Sequence, residues 1–110
     1  MKGWYELERS SDNQYKFVLK AANAEVILVS ELYTQKASAI KGIESVRKNC
    51  GSDDSFKRLD ASNGQAYFNI VAQNHEVIGT SELYSSAQMR DKGIESVKAN
   101  GVSAVLKDLS

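Results

Sequence analysis

The sequence predicts an α+β fold in which one supersecondary unit is used twice, with a single antiparallel sheet and both helices on one face. Three observations carry this. Residues 5–50 overlay residues 56–101 without a gap at an offset of 51, and 19 of the 46 pairs are identical. Each copy alternates apolar and polar residues with period two around Phe17 or Phe68. After Ser-Glu-Leu-Tyr, at 30–33 and again at 81–84, the apolar spacing becomes helical and runs through Gly-Ile-Glu-Ser-Val at 42–46 and 93–97.

The first strand of each unit is read over residues 4–9 and 55–60. Turn clusters follow, Ser10-Ser-Asp-Asn13 and Ala61-Ser-Asn-Gly64; Asn63-Gly64 predicts a two-residue type I′ hairpin, in which both residues take positive φ. In the second strand Phe17, Leu19 and Ala21, with Phe68, Ile70 and Ala72, form the face expected to meet the core. Lys16, Val18 and Lys20, with Tyr67, Asn69 and Val71, form an uncovered, wet face. A tight turn at Asn23-Ala24 and Asn74-His75, with asparagine in the left-handed position, leads to a third strand over 25–29 and 76–80. Thr34 and Ser85 are the expected helix N-caps, Ser85 with Gln88 as a capping box. Ala39, Ile43, Val46 and Cys50 form the buried helix stripe, as do Ile94 and Val97. Gly42 and Gly93 imply close approach of the helix to the sheet, and Lys41, Glu44 and Lys48 face solvent. The second helix is expected to stop at Asn100-Gly101, and residues 102–109 to form a final strand.

Three strands and one helix leave apolar surface uncovered, so residues 1–110 are read as one domain of two mutually dependent repeats. A globule of this size buries roughly 65% of its unfolded surface. Fourteen basic and fourteen acidic side chains cancel. The halves differ only as eight Lys/Arg with six Asp/Glu against six with eight, too little to steer a polyanion. A single cysteine excludes an internal disulfide, and Met1-Lys-Gly-Trp lacks a signal-type apolar stretch. A cytoplasmic protein without a membrane span is expected.

The strand at 17–21 with Asn23, then Ser-Glu-Leu-Tyr, then Gly-Ile-Glu-Ser-Val, each repeated 51 residues on, resembles the tandem form of the YegP-like family of small, uncharacterised bacterial proteins. The resemblance spans about Tyr5 to Leu109. It implies β3-α-β units that form one sheet and exchange their last strands. Members usually read Asn-Gly at the turn after the second strand, where this chain has Ala24 and His75. The family brings no activity.

The chemistry-bearing inventory is thin. His75 is the lone histidine and sits in a turn, and Cys50 falls at a helix end, so no catalytic constellation, metal cluster or cofactor loop is read. The candidate ligand- or partner-binding residues are Ser30, Glu31, Tyr33, Ser81, Glu82 and Tyr84, which lie where free backbone N–H groups gather at a helix start. A competing reading has Leu32 and Tyr33 packing under the helix while Ser30 and Glu31 satisfy backbone groups. Lys16, Val18, Lys20, Tyr67 and Val71 are the candidate contacts on the uncovered sheet face. The expected function is a non-enzymatic interaction or accessory module with a protein or peptide partner, acting as a monomer with internal pseudo-twofold symmetry. Single-stranded nucleic-acid binding through the sheet face, with Trp4 and Tyr67 stacking bases, is a second reading. A small-ligand binder or unrecognised enzyme is a third.

Overall fold

The computed structural model describes residues 3–110. The first repeat contributes β1 (Trp4–Arg9), β2 (Tyr15–Lys20), β3 (Val26–Ser30) and α1 (Lys36–Asn49). A short 3-10 turn, Asp53–Ser55, leads to β4 (Phe56–Asp60), β5 (Ala66–Val71), β6 (Val77–Thr80), α2 (Ala87–Asn100) and β7 (Leu106–Asp108). The seven strands form one sheet in the order β4-β5-β6-β3-β2-β1-β7. The strand after each helix joins the other repeat's half: β4 lies beside β5, and β7 beside β1.

The repeats meet at β3 and β6, which pair antiparallel so that Val29 faces its own mate Thr80. Around this seam α1 rests on β1, β2 and the other repeat's β6, while α2 rests on β5, β3 and β2. Phe17, Leu19, Phe68 and Ile70 from the sheet interlock with Ala39, Ile43, Val46, Ile94 and Val97 from the helices in one apolar core. At two further places, unlike the Val29–Thr80 pair, the mate that a side chain meets is a glycine. A Cβ on Gly79 would stand 2.9 Å from Leu28 Cγ, and one on Gly101 would stand 2.8 Å from Cys50 Sγ.

All four hairpins share one loop design, a turn closed i to i+3 with a single left-handed residue in fourth place. Those residues are Asn13 (φ 68), Ala24 (φ 70), Gly64 (φ 84) and His75 (φ 70). The N–H groups of Ala24, Gly64 and His75 donate to Ala21, Ala61 and Ala72 carbonyls at 2.9, 3.0 and 2.9 Å. The expected type I′ turn at Asn63-Gly64 is therefore corrected, because only Gly64 has positive φ. Asparagine 23 and 74 are likewise not the left-handed residues. Their Oδ1 atoms accept the N–H two residues on, at 3.1 Å each, bracing the strained residue between.

Three further expectations are corrected. Helix α1 begins at Lys36 after an uncapped Gln35, and α2 after Ser86, whose Oγ accepts Met89 N–H at 3.2 Å, so neither Thr34 nor Ser85 is the cap. The delay arises because Tyr33 and Tyr84 stay extended, paired to Tyr15 and Ala66 through both backbone groups. Gly101 is in the right-handed region (φ −65), so space beside Cys50, not backbone conformation, accounts for glycine there. The final strand covers three residues and runs parallel to β1, so the sheet is mostly rather than wholly antiparallel. Helix α2 ends where β1 starts, with Gly3 N–H on Asn100 Oδ1 and Tyr5 O–H on the Gly101 carbonyl, so the chain leaving it must run alongside β1.

Two stability predictions follow from the turns and from β7. Ala24→Gly and His75→Gly each relieve left-handed strain and raise unfolding free energy by about 0.5–1 kcal/mol, net of the freer unfolded chain, and Gly64→Ala lowers it; urea titration measures all three. The Asp108 carboxyl, held by Lys36 and then by Ser110, is pulled down to about 2 from 3.8. A depressed carboxyl stabilises the fold above its unfolded value and loses that contribution as pH falls through the folded one. The protection of the Leu109 amide, bonded to the Leu7 carbonyl at 2.8 Å, relative to its intrinsic exchange rate at each pH is therefore expected to fall progressively as pH drops from about 4 to 2, and Asp108→Asn to abolish that dependence.

Candidate functional site

Each Ser-Glu-Leu-Tyr segment forms the corner between the third strand and the helix. At Ser30 the strand turns its backbone toward β6, which leaves Phe17 N–H facing a side chain instead of a carbonyl. Ser30 Oγ accepts that N–H at 2.9 Å and donates to the Glu31 carbonyl at 2.7 Å. Ser81 does the same with Phe68 N–H and the Glu82 carbonyl, at 3.0 and 2.8 Å. The serine thus stands in for a missing ladder acceptor.

Tyr33 and Tyr84 are wedged between sheet and helix. Their rings stack on Phe17 and Phe68 at 6.4 Å with interplanar angles of 12° and 9°. The hydroxyls lie over the helix glycines: a Cβ on Gly42 would sit 2.5 Å from Tyr33 Oη, and one on Gly93 would sit 2.7 Å from Tyr84 Cζ. The two repeated motifs are therefore halves of one contact, in which tyrosine requires glycine. Burial, then the neighbouring Glu31 and Glu76 charges, raise the Tyr33 phenol above its ordinary value; Glu82 and Glu25 do so for Tyr84. Between serine and tyrosine, Glu31 and Glu82 are exposed, and Leu32 and Leu83 are each 51% exposed. The expectation that Leu32 packs under the helix is corrected: the extended chain points it away from the core that Tyr33 enters.

The uncovered sheet face carries a row that crosses all seven strands: Lys57, Asn69, Thr80, Val29, Val18, Glu6 and Lys107. Val18 and Val71 lie on this face, yet they retain only 6% and 5% exposure and supply no open apolar patch. Lys20 is paired with Glu6 at 3.2 Å, and Lys16 lies opposite Glu8 in the register. The Trp4 indole donates to Glu6 at 2.8 Å while Lys107 covers its ring at 4.3 Å. The Trp4 hydrogen bond, aided by Lys20, holds the Glu6 carboxyl below the usual range. Tyr67 is half-buried opposite Leu59. Cations meant for phosphates are thus matched by carboxylates, and the Trp4 ring is already occupied.

Among the described residues no group of three or more His, Cys, Asp and Glu side chains is placed to hold a metal ion. His75 is an exposed turn residue, and Cys50 is fully buried, with its thiol pushed up by burial. Among the described residues no helix is long and apolar enough to cross a membrane.

Sequence reasoning missed a polar cleft between α1 and the β5–β6 hairpin. A cavity of about 570 Å³ there is lined by Lys41, Glu44, Ser45, Asn49, Gln73 and Asn74 among others, and one of about 240 Å³ deepens it toward Tyr33 and Glu76. Of the fourteen residues lining these two cavities, eleven are identical to their repeat mates, against 19 of 46 overall. The signal was therefore present in the repeat comparison, but it becomes a surface only when helix and hairpin of different repeats are brought together.

Gly93→Ala drives a methyl into the Tyr84 ring, an overpacking cost of about 1–3 kcal/mol that exceeds the helix-propensity gain of about 1. A lowered melting temperature and displacement of Tyr84 from Phe68, seen as lost ring-current shifts, are expected, with partial recovery when Tyr84→Phe is added.

Comparison with known proteins places these features in a family. Residues 10–55 and 61–108 each match the model of a domain of unknown function, DUF1508. A UPF0339 protein of Acinetobacter baylyi is 59% identical over 110 residues, covering 100% of this chain and 99% of its own length. The UPF0339 protein YegP of Escherichia coli K12 is 57% identical over 108 residues, covering 98% of each chain. The solution NMR structure of yegP from Escherichia coli, described as a protein of unknown function, superposes with a TM-score of 0.95 at 57% identity, covering 99% of this chain and 94% of that one. A UPF0339 protein of Shewanella oneidensis gives 0.94 at 54% identity over 99% and 92%. With both units matched and full-length relatives at this identity, the chain belongs to the DUF1508 family, in its two-repeat form.

Proposed function

We propose that this chain is a non-catalytic binding module, acting as a monomer, that engages a protein or peptide through its twinned Ser-Glu-Leu-Tyr corners. The observation that carries the reading is the division of labour inside the tetrapeptide. Serine and tyrosine are consumed by backbone and core, while the Glu-Leu pair between them stands in solvent in both copies, the two leucines equally exposed. A single exposed leucine is ordinary on a protein surface. An identical one at the mate position, in copies that differ at most other places, is not explained by the fold. An apolar anchor beside a carboxylate suits a partner that offers an apolar pocket next to a basic group.

The remaining chemistry agrees with a binding role. The phenols are shifted upward, away from the range useful for proton transfer near neutrality, and the one thiol is buried. On the sheet face, the pairing of Lys20 with Glu6 argues against a strand-binding platform.

The test is capture from native lysate with the intact chain and with a Leu32→Ser, Leu83→Ser variant. Both positions are half-exposed, so stability is expected to change by less than about 0.5 kcal/mol. Proteins retained by the intact chain should be lost by the variant at least tenfold; equal retention by both rejects the corners as the binding surface.

A further inference from the structure

The last turns of the two helices end on mates, Asn49 and Asn100, with the same local geometry. Asn49 Nδ2 donates to the Ser45 carbonyl at 2.8 Å and to Ser45 Oγ at 3.3 Å. Asn100 Nδ2 does so to Ser96 at the same two distances. Each amide nitrogen is thereby spent on its own helix, and each Oδ1 is left pointing outward as an acceptor.

The two acceptors then differ. Asn100 Oδ1 accepts the peptide N–H of Gly3 at 2.8 Å, where the chain passes on its way into β1. Among the described residues, Asn49 Oδ1 has no donor, although the residue is only 8% exposed. The mate of Gly3 is Asp54, and the reason it does not fill the same role is topological. The chain reaches β4 straight from α1, turning at Ser52, whose N–H is bonded to the Asn49 carbonyl, and through the 3-10 turn Asp53–Ser55. That turn bows outward and leaves a cavity of about 300 Å³ between Asn49, Ser52, Asp54, Val71 and Ala72. This cavity shares Lys48, Asn49, Ala72 and Gln73 with the larger polar cleft. Asn49 Oδ1 is not sealed in the interior: it opens onto this cavity, where an incoming N–H can reach it.

We propose that the first-repeat cleft binds a polypeptide segment of a partner protein, its main-chain N–H donating to Asn49 Oδ1 as Gly3 donates to Asn100, with glycine at the donating position. The glycine requirement is read from the occupied site. A Cβ on Gly3 would collide with the Lys20 carbonyl oxygen and come within 3.0 Å of Ala21 Cα. The mates of Lys20 and Ala21 are Val71 and Ala72, which bound the empty cavity in the same way. Lys41, Lys48 and Glu44 along the cleft supply both signs of charge for the flanking residues of the segment. The occupant is a partner and not a second copy, because this chain's own glycine is engaged at Asn100, and a second copy would break one such bond for each it formed. The inference rests on the reading of the chain as a peptide- or protein-binding module, but uses residues separate from Leu32 and Leu83.

The test uses the intact, isotope-labelled chain and a blocked tetrapeptide, acetyl-Ala-Ala-Gly-Trp-amide, whose Gly-Trp copies Gly3, seated at Asn100, and the Trp4 that follows it. Titration followed by NMR is expected to move the resonances of Asn49, Ala72 and Gln73 and to leave the Asn100 side-chain amide in place. The same peptide with N-methylglycine lacks the donor and should bind at least tenfold more weakly, and Asn49→Ala should weaken the parent peptide to the same degree. The N-methyl arm needs no altered protein, so a poorly folded variant does not blunt it. Equal binding of the two peptides, no shifts in the cleft at millimolar peptide, or shifts centred on Asn100 overturn the proposal. Concentration-dependent self-association that protects the cleft overturns the choice of occupant. Loss of capture by the Leu32/Leu83 variant alongside a negative titration would leave the binding-module reading standing and remove this one.

Discussion

The rest of the structure depends on the antiparallel seam between β3 and β6. Antiparallel pairing of two copies of one strand places a twofold relation at the pair itself, so Val29 meets Thr80 and every other feature follows in mirrored order. Without the seam each repeat would expose a strand edge and the half of its core that the other repeat's helix covers. With it, the apolar residues of both units merge into one interior, and the strand after each helix is carried across to the opposite half. A sheet of seven strands with one face covered is well above the size at which such a layer becomes self-supporting.

Much of this was legible because the signals are local and doubled. The period-two alternation at Phe17 and Phe68 placed the core face correctly, and the helical stripe of Ala39, Ile43 and Val46 is fully buried. What sequence reasoning missed depends on competition between neighbouring elements. The helix starts are displaced because Tyr33 and Tyr84 pair with β2 and β5, a long-range bond that local capping patterns do not encode. The turn type was misread because Asn23 and Asn63 work through their side chains, leaving the strained conformation to the residue that follows. The direction of β7 is dictated by where α2 ends relative to β1, which is a property of the assembled sheet.

The candidate surfaces divide in the same way. Repetition marked Ser-Glu-Leu-Tyr as important, but only the fold separates the serine that mends a gap in the ladder and the tyrosine that demands glycine from the Glu-Leu pair that does neither. The Asn49 cleft lies further from view. Its meaning comes from comparing a bond that exists in one repeat with its absence in the other, across partners 97 residues apart in sequence.

The glycines at the axis say something about carrying both units in one polypeptide. In an assembly of two identical chains, any residue on the symmetry axis confronts itself, so the space there must be filled by two side chains of one size. Here leucine lies against glycine at one such point and cysteine against glycine at another. Each glycine gives up the volume its counterpart fills. Covalent linkage therefore does more than keep the halves together: it releases the axial positions from having to match, a solution to packing that no symmetrical pair of chains can reach.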